Sequence, residues 1–296
     1  MDSSINRQTK KVSVFTKIID GILAIPREHK GFGKQTFMLA KDDLIKTYKG
    51  AIIGPGWAVM KPLFQLFVYW FAFTVGLRGG ANRQEMGVPY FIFLMAGFLP
   101  WCFMSDVISS GSKCIRSNRQ FVNKISFPVS CIMTYTTISK FYVHIFLFSL
   151  SYIYLMIAGI MPSIYNLQLL IFAPVMFAFY LCLTWSLAPM SAFSKDFESF
   201  ITTIMSGLFW LSGVCYNSYT LDSEVVRTIL LFNPMTYFCN AYRKALICDK
   251  WFFEGFKDGP VHPLWETGIF LIEFAVIILL GIYNYNRLKK RLPDVL

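Results

Sequence analysis

The sequence WAVMKPLFQLFVYWFAFTVGL occupies residues 57–77. It carries little charge, and an α-helix needs about 20 mostly apolar residues to cross the hydrocarbon core of a bilayer. Five more stretches of this character follow, at residues 88–108, 129–161, 167–193, 197–216 and 265–286. The sequence therefore predicts an all-α integral membrane protein with six transmembrane helices.

The composition of the 296-residue chain agrees with this prediction. Hydrophobic residues make up 55%, aromatic residues 18% and charged residues only 15%, which leaves no room for a large water-soluble domain. A net charge of +11 would suggest nucleic acid as the partner of a soluble protein. Here the basic residues cluster beside the spans, so we expect membrane lipids as partners and no nucleic acid.

Lysines and arginines lie mainly on alternate sides of these spans. Ten lie in residues 1–56, four in residues 111–128 and four in the tail from Arg287, whereas the loops 78–87 and 162–166 hold two and none. Cytoplasmic loops carry an excess of basic residues, so we predict that both termini are cytoplasmic. The loop 217–264 balances five basic residues with five acidic ones and is assigned to the outer side.

Residues 1–50 are predicted to form a cytoplasmic region at the membrane surface, and residues 51–296 the transmembrane domain. The first region is too polar for a cleaved signal peptide. Apolar residues recur at helical spacing from Val14 to Ile25, which predicts an amphipathic helix on the inner membrane surface. A second helical pattern carries lysines that attract anionic headgroups by about 1 kcal/mol each: Lys41, Lys46 and Lys49.

The third apolar stretch, residues 129–161, is too long for a bilayer. A helix of this length measures about 50 Å, so it must tilt steeply, protrude, or begin as a cytoplasmic helix. It also contains Lys140 and His144, one turn apart on one face. Charged residues at membrane depth suggest function, but a lysine that reaches a helix partner or the boundary is favoured over a proton relay, and we interpret both residues as structural.

Residues 225–247 form a stretch of medium polarity that is interrupted at Asn233-Pro234. Proline splits a helix, and each of the two resulting pieces is too short to span a membrane. Two half-helices that dip into the membrane from the outer face are the simplest interpretation. Broken backbone at membrane depth requires surrounding protein or water, so the hairpin is predicted to line or close a pathway.

Motifs for chemistry are absent from the sequence. It contains no GxxxxGK[ST], HExxH or GxSxG pattern and no cluster of metal-ligating residues. The pair Asp42-Asp43 lies in a lysine-rich helical pattern, where a solvated surface explains it. The seven cysteines are interpreted as small buried hydrophobes. Only Cys239 and Cys248 fall on the outer side, where a disulfide bond is chemically permitted, and the sequence leaves open whether they pair. An enzyme is therefore not expected, and no metal site.

Aromatic residues follow one face of the first predicted span, at Trp57, Phe64, Phe67 and Phe71. Ring faces let a sugar or polyol chain slide without fixed hydrogen bonds, so this stripe is a candidate pathway lining. Contact with lipid or with neighbouring helices is the alternative, and both remain open. Phe209 and Trp210 in the fifth span are further candidates for the lining.

Four segments carry a family resemblance. YKGAIIGPGWAVMKPLFQLFVYWFAF at residues 48–73 resembles the opening of ABC-2 type permeases that export polysaccharides and polyol phosphate polymers. The cytoplasmic loop SNRQFVNKISFP is similar to their Asn-x5-Lys-x2-Phe-Pro signature, FSKDFESF to their basic-Asp pair, and NPMTYFCNAYRKAL to their Asn-Pro, aromatic and Arg signature. GVPYFIFLMAG, SKFYVH and MPSIY look most like wall teichoic acid permeases of Gram-positive bacteria. Lys195 departs from the family, which often has Arg there.

The resemblance implies a half-transporter of the bacterial plasma membrane. Two copies would form a channel, and two copies of a separate ATPase subunit would bind ATP and Mg, so this chain needs no cofactor. The implied substrate is an undecaprenyl-diphosphate-linked polymer, with wall teichoic acid expected and a rhamnan or O-antigen-like polysaccharide as the alternative. From other classes, a membrane transferase that acts on the same lipid and a non-transporting scaffold are the alternatives.

The resemblance also implies roles for particular residues. The path would run between the first and fifth spans, with the diphosphate received at Lys41, Lys46 and Lys49. The cytoplasmic loop, otherwise a solvated connector, would couple to the ATPase through Arg116, Asn118, Arg119 and Lys124. The outer gate would comprise Asn233, Pro234, Tyr237 and Arg243.

Overall fold

The computed structural model describes residues 24–76, 84–124, 127–255 and 263–292. Its long elements are all helices, which confirms the all-α prediction. They are α1 (Gly33–Thr47), α2 (Trp57–Phe71), α3 (Tyr90–Ser117), α4 (Arg119–Lys124), α5 (Val129–Ile157), α6 (Leu169–Phe193), α7 (Lys195–Trp210), α8 (Glu224–Leu231), α9 (Pro234–Leu246) and α10 (Pro263–Leu288). Before α3, the two-residue strands β1 (Gln84–Glu85) and β2 (Val88–Pro89) pair antiparallel.

Five helical segments within the described ranges are long and apolar enough to cross a membrane: Gly54–Gly76, Tyr90–Ser117, Val129–Ile157, Ile164–Phe193 and Leu264–Arg291. They coincide with the predicted spans one to four and six. Each of these helices coincides with a continuous apolar stretch, so the length of that stretch was sufficient to predict it. The protein is therefore a multi-pass membrane protein.

The fifth predicted span, residues 197–216, differs from the other five. Helix α7 has 16 residues and is about 24 Å long, which is shorter than the hydrocarbon core. The hydroxyl of Ser194 caps its start by accepting a hydrogen bond from the Phe197 amide (3.3 Å). The helix ends at Trp210, and Gly213 has a φ of +66°, a conformation that glycine adopts without strain. That residues 211–216 complete a crossing stays a prediction.

Helix α3 lies at the centre of the bundle and is buried along most of its length, with α5, α6 and α9 packed around it. Two glycines allow close helix contacts: Gly111 of α3 lies against Thr184 of α6, and Gly281 of α10 lies against the Cys182 backbone of α6. Small residues of this kind let membrane helices approach closely. Helices α2 and α10 lie at the outside, where most of their apolar side chains are exposed.

Helix α5 is 29 residues long, about 44 Å, and therefore longer than a bilayer is thick. Its first turns pack against α1 and the preceding segment, in a cluster that contains Ile25, Ala40, Ile132 and Met133. The start of the helix is therefore covered by protein, and its cytoplasmic position stays a prediction. The predicted amphipathic helix from Val14 lies outside the described residues except for its last two positions, and Ile25 is buried against protein.

Glu28 fastens the segment before α1 to two spanning helices. Its carboxylate accepts hydrogen bonds from Tyr285 Oη (2.6 Å), Ser130 Oγ (2.7 Å) and Lys289 Nζ (2.6 Å). Burial raises the pKa of Glu28, but these three hydrogen bonds outweigh it and hold the pKa below its ordinary value. The ionised carboxylate therefore joins the start of α5 to the end of α10.

The predicted break at Asn233-Pro234 is confirmed. Helix α8 ends at Leu231 and α9 begins at Pro234, with Asn233 as the cap. The Asn233 side chain accepts a hydrogen bond from the Met235 amide (3.0 Å) and donates one to the Leu211 carbonyl (2.7 Å). An asparagine cap followed by proline at the first helical position is a favoured helix start. The re-entrant position of this hairpin in the membrane stays a prediction.

Candidate functional site

A polar cavity opens between α2, α3, α5 and α7. Its volume is about 620 Å³. Two cavities of similar size, about 530 and 650 Å³, are lined mainly by apolar side chains. The polar cavity instead combines charges with aromatic rings: Lys61, Asp106, Lys140, Tyr69, Trp101 and Trp210. It lies between the helices of the first and fifth predicted spans.

Three different helices contribute the charges of the cavity. Lys61 comes from α2, Asp106 from α3 and Lys140 from α5. Asp106 is exposed to the cavity and attracts both lysines electrostatically. The Lys61 ammonium also lies 5.4 Å from the ring centroid of Tyr48, within cation–π range. Lys140, interpreted from sequence as structural, therefore belongs to a charged group that the sequence separates by tens of residues.

Aromatic rings form one wall of this cavity. Tyr69 of α2 and Phe209 of α7 stack with their centroids 4.5 Å apart, and Trp101 of α3 meets Phe209 edge-on at 5.2 Å. Phe209 and Trp210, both predicted as lining, are part of the wall. Trp101 and Tyr69 were not predicted, because the helical spacing within one span does not show which neighbouring helix completes a surface.

The predicted stripe on α2 points elsewhere. Trp57, Phe64, Phe67 and Phe71 are exposed, with Phe64 at 68%, and the rings of Phe67 and Phe71 lie 6.4 Å apart in a stacked pair. Other residues of α2 line the polar cavity. The stripe therefore lies on the outward side of this chain, and its part in a substrate path stays a prediction.

The lysines predicted to receive the diphosphate are on or next to α1. Lys41, Lys46 and Lys49 are all exposed. The end of the same helix reaches the cavity through Thr47 and Tyr48. The three lysines thus lie near the cavity mouth, while its described lining takes its positive charge from Lys61 and Lys140.

The predicted ATPase-coupling residues separate into two groups. Arg116 donates hydrogen bonds to the carbonyls of Ser191 and Ala192 at the end of α6 and pairs with Glu198 of α7 at 3.4 Å. Sequence reasoning missed these partners because they are more than 70 residues away. The end of α3, just before this loop, is therefore tied to the junction of α6 and α7.

The other coupling residues follow Arg116. Asn118 is buried and caps α3 by donating from Nδ2 to the Cys114 carbonyl (2.9 Å). Arg119 is exposed at the start of α4. Lys124 is the last residue of α4, and its side chain lies outside the described part of the structure.

Arg243 is buried completely and connects α9 to two other parts of the bundle. Its guanidinium donates hydrogen bonds to the carbonyls of Phe93 (3.3 Å), Gly213 (2.7 Å) and Val214, and its central carbon lies 3.7 Å from the Phe93 ring centroid. Gly97 leaves the space that the guanidinium occupies. Carbonyl acceptors and a ring face offset the cost of burying this charge.

Two further contacts hold α9 against α10. Tyr237 stacks on Phe270 at 4.4 Å with the rings nearly parallel. The buried pair of Lys244 and Glu266 is 3.4 Å apart, and Tyr219 Oη donates to the same carboxylate at 3.0 Å. The predicted gate residues Asn233, Pro234, Tyr237 and Arg243 thus share one helix and its cap, while the ion pair was missed because its members are 22 residues apart.

His144 of α5 borders the mainly apolar cavity of about 530 Å³. Its Nε2 is 2.9 Å from Tyr242 Oη of α9, and the residue is buried. Within the described residues, no group of three or more histidine, cysteine or acidic side chains could hold a metal ion. All seven cysteines, including Cys239 and Cys248, are free thiols.

Comparisons with known proteins agree with this architecture. The ABC-2 type transporter family matches residues 34–247. The O-antigen export system permease protein RfbA of Myxococcus xanthus is 25% identical over 206 residues, which cover 69% of this chain and 77% of that protein. A Klebsiella pneumoniae protein of the same name is 22% identical over 263 residues, 88% of this chain and 93% of the relative. The chain belongs to the ABC-2 type transporter family.

Proposed function

We propose that the chain is the permease subunit of an ABC exporter that moves a lipid-linked polymer across a bacterial plasma membrane. The observation that carries this proposal is the polar cavity with an aromatic wall between α2 and α7. Charged side chains between membrane-spanning helices are costly unless they serve a pathway, and aromatic rings can contact a sugar or polyol chain without fixing its register. The O-antigen relatives support a polysaccharide substrate.

The narrower substrate is wall teichoic acid. It is supported by the resemblance of residues 87–97, 139–144 and 161–165 to permeases for that polymer. The names of the relatives favour an O-antigen-like polysaccharide instead, so a rhamnan or O-antigen-like polymer is the second candidate. Both share a diphosphate-linked lipid carrier and differ in the repeating unit.

Assembly with a second copy is part of this proposal. A cavity of about 620 Å³ is too small for a polymer and would hold only the headgroup and a few sugars. The exposed rings of Phe64, Phe67 and Phe71 on α2 provide an apolar surface beside it. Two copies that face each other would enclose a continuous path, with the stripe of each copy near the boundary.

Energy would come from two copies of a separate ATPase subunit, which would bind ATP and Mg and contact α4. Movement of this loop would reach the cavity through Arg116, because that residue is bonded to the α6–α7 junction. Helix α7 in turn supplies Met205 and Phe209 to the cavity wall. A rigid shift of packed helices is a common way to open and close a path. The hairpin of α8 and α9 would form the outer gate.

Reconstitution tests the proposal. The chain is co-expressed with a Walker-type ATPase encoded beside its gene, and the complex is placed in lipid vesicles. We expect no ATP hydrolysis by the chain alone, and hydrolysis by the complex that rises with undecaprenyl-diphosphate-linked polymer. Parallel assays with teichoic acid, rhamnan and O-antigen identify the substrate. Turnover of the lipid-linked glycan without ATP would instead support a transferase and contradict the proposal.

A further inference from the structure

Lys61, Asp106 and Lys140 form a charged group that only the tertiary structure brings together around one cavity. They come from α2, α3 and α5 and line one cavity. The group holds two cations and one anion, so one positive charge is uncompensated within it. Two lysines on different helices with a shared carboxylate are expensive to place among apolar helices, which points to a ligand that uses them.

We propose that Lys61 and Lys140 bind the diphosphate of the lipid carrier, and that Asp106 is the counter-ion that the diphosphate displaces. This assignment rests on the proposed export function and names the headgroup subsite within it. Before binding, Asp106 shares the cavity with both lysines and attracts them electrostatically, without an ion pair within 4 Å among these three described side chains. A diphosphate carries more charge than one carboxylate and therefore competes with it. After the headgroup leaves, Asp106 is again the counter-charge to the two lysines in the cavity.

The position of the group suits a lipid headgroup. Lys61 lies in the second turn of α2, and Asp106 lies about three turns before the end of α3. On the predicted topology both positions are near the cytoplasmic ends of their helices. A headgroup at this level enters the cavity from the side while its polyprenyl chain stays in the bilayer. Tyr69, Phe209 and Trp210 then lie where the first sugars would stack.

The chemistry of the walls suits a diphosphate. Lysine ammoniums are compact charges that bind phosphate oxygens, and two of them on different helices of one cavity match a group with two phosphorus centres. Gln65, Ser105 and Ser110 add neutral hydrogen-bonding groups. Lys41, Lys46 and Lys49 are exposed, so salt screens them. They would collect anionic lipids near the mouth without selecting among them.

Removal of Asp106 is expected to strengthen diphosphate binding, not to weaken it. If the carboxylate competes with the headgroup, its removal leaves two lysines without a counter-ion, and a diphosphate should bind more tightly. Release should then slow, because nothing replaces the headgroup as it leaves. A carboxylate that only stabilises the fold would show the opposite, since its loss would disturb the lysines and weaken binding.

Binding of radiolabelled undecaprenyl diphosphate to the full chain in zwitterionic lipid nanodiscs tests this. We expect Lys61→Gln with Lys140→Gln to raise Kd by about tenfold or more, and the corresponding double Arg variant to retain most of the affinity. Asp106→Asn should lower Kd by several-fold. Lys195→Gln is the control, because Lys195 is exposed at the start of α7 and should leave Kd unchanged.

Competition separates the sources of the phosphate. Inorganic diphosphate should displace the labelled lipid, whereas phosphatidylglycerol should not. Displacement by phosphatidylglycerol at equal concentration would overturn the assignment in favour of a general anionic-lipid site. So would parental Kd in the double Gln variant, or a raised Kd in Asp106→Asn. The Arg and Asn variants retain the polar volume, so the test stands even where the Gln variant fails to fold.

The export function is tested separately with the same proteins. If the parental complex exports polymer and the double Gln variant binds and exports equally well, the subsite is wrong and the function stands. If the parental complex neither exports polymer nor hydrolyses ATP in response to it, the function itself is wrong, and so is the inference that depends on it.

Discussion

Replacing Arg243 by methionine should destabilise the bundle. It should also make room for a side chain at Gly97, which the Arg243 guanidinium now excludes. Methionine fills similar space but donates no hydrogen bond, so the carbonyls of Phe93, Gly213 and Val214 lose their donor. Each unsatisfied buried acceptor costs about 1–3 kcal/mol, while removal of a buried charge returns part of this. We expect the free energy of unfolding to fall by about 3 kcal/mol.

Gly97→Ala should be destabilising for a related reason. A methyl group at this position would lie against the Arg243 guanidinium, which is held on three sides and has no room to retreat. Overpacking of this kind costs about 1–3 kcal/mol. In the Arg243→Met background the flexible methionine can move aside, so the same change should cost almost nothing.

A double-mutant cycle measures this coupling. Unfolding in mixed micelles with increasing sodium dodecyl sulfate gives the free energy of each variant, and Gly268→Ala in α10 is the matched control because no atom lies near its added methyl. Costs of Gly97→Ala and Arg243→Met that simply add would refute the close packing of these two residues.

Three other predictions concern the coupling loop, the aromatic stripe and acid stability. Arg119→Glu should reduce co-purification of the ATPase, because it places a like charge at an acidic contact surface. Arg116→Ala should keep the ATPase bound but lower polymer-stimulated hydrolysis, because the link to α6 and α7 is lost. Equal effects of both variants on co-purification would contradict these separate roles. Phe64→Leu with Phe67→Leu should slow export while membrane insertion and ATPase binding stay unchanged, and export at the parental rate would make the stripe a packing or lipid surface. The lowered pKa of Glu28 means that its stabilisation is complete above the ordinary pKa of 4.5 and is lost as the pH falls through the lower folded value; Glu28→Gln should remove this acid-dependent part of the unfolding free energy measured by circular dichroism.

Coupling between the two ends of the molecule follows from a few long-range contacts. At the end that is predicted to be cytoplasmic, Arg116 bonds to the α6–α7 junction, and α7 continues to the cavity wall. At its other end, the carbonyls of Gly213 and Val214, just after α7, accept hydrogen bonds from Arg243 of α9. One helix thus connects the predicted ATPase contact, the cavity and the predicted outer gate. A displacement of α7 would therefore shift residues at the predicted ATPase contact, in the cavity wall and at the predicted outer gate.

Features that depend on local sequence were predicted correctly. Five spans were found from continuous apolar runs, and the break between α8 and α9 from a single Asn-Pro pair. Both follow from properties of neighbouring residues: the length of an apolar segment relative to a bilayer, and the missing amide and fixed φ of proline. The fifth predicted span, residues 197–216, differs from the structure because its helix ends at Trp210, before the turn at Gly213, although the apolar sequence continues.

The sequence by itself determined that this protein crosses a membrane several times, is built from helices, and carries the segments of its family. Only the tertiary structure decided which side chains face one another. Arg116 meets Glu198 across 82 residues, Arg243 meets Phe93 across 150, and Lys61, Asp106 and Lys140 share a cavity. Hydrophobicity is averaged over a segment and does not depend on partners, so sequence reveals it. Hydrogen bonds and ion pairs act over a few ångströms, so their partners are known only once the helices are packed.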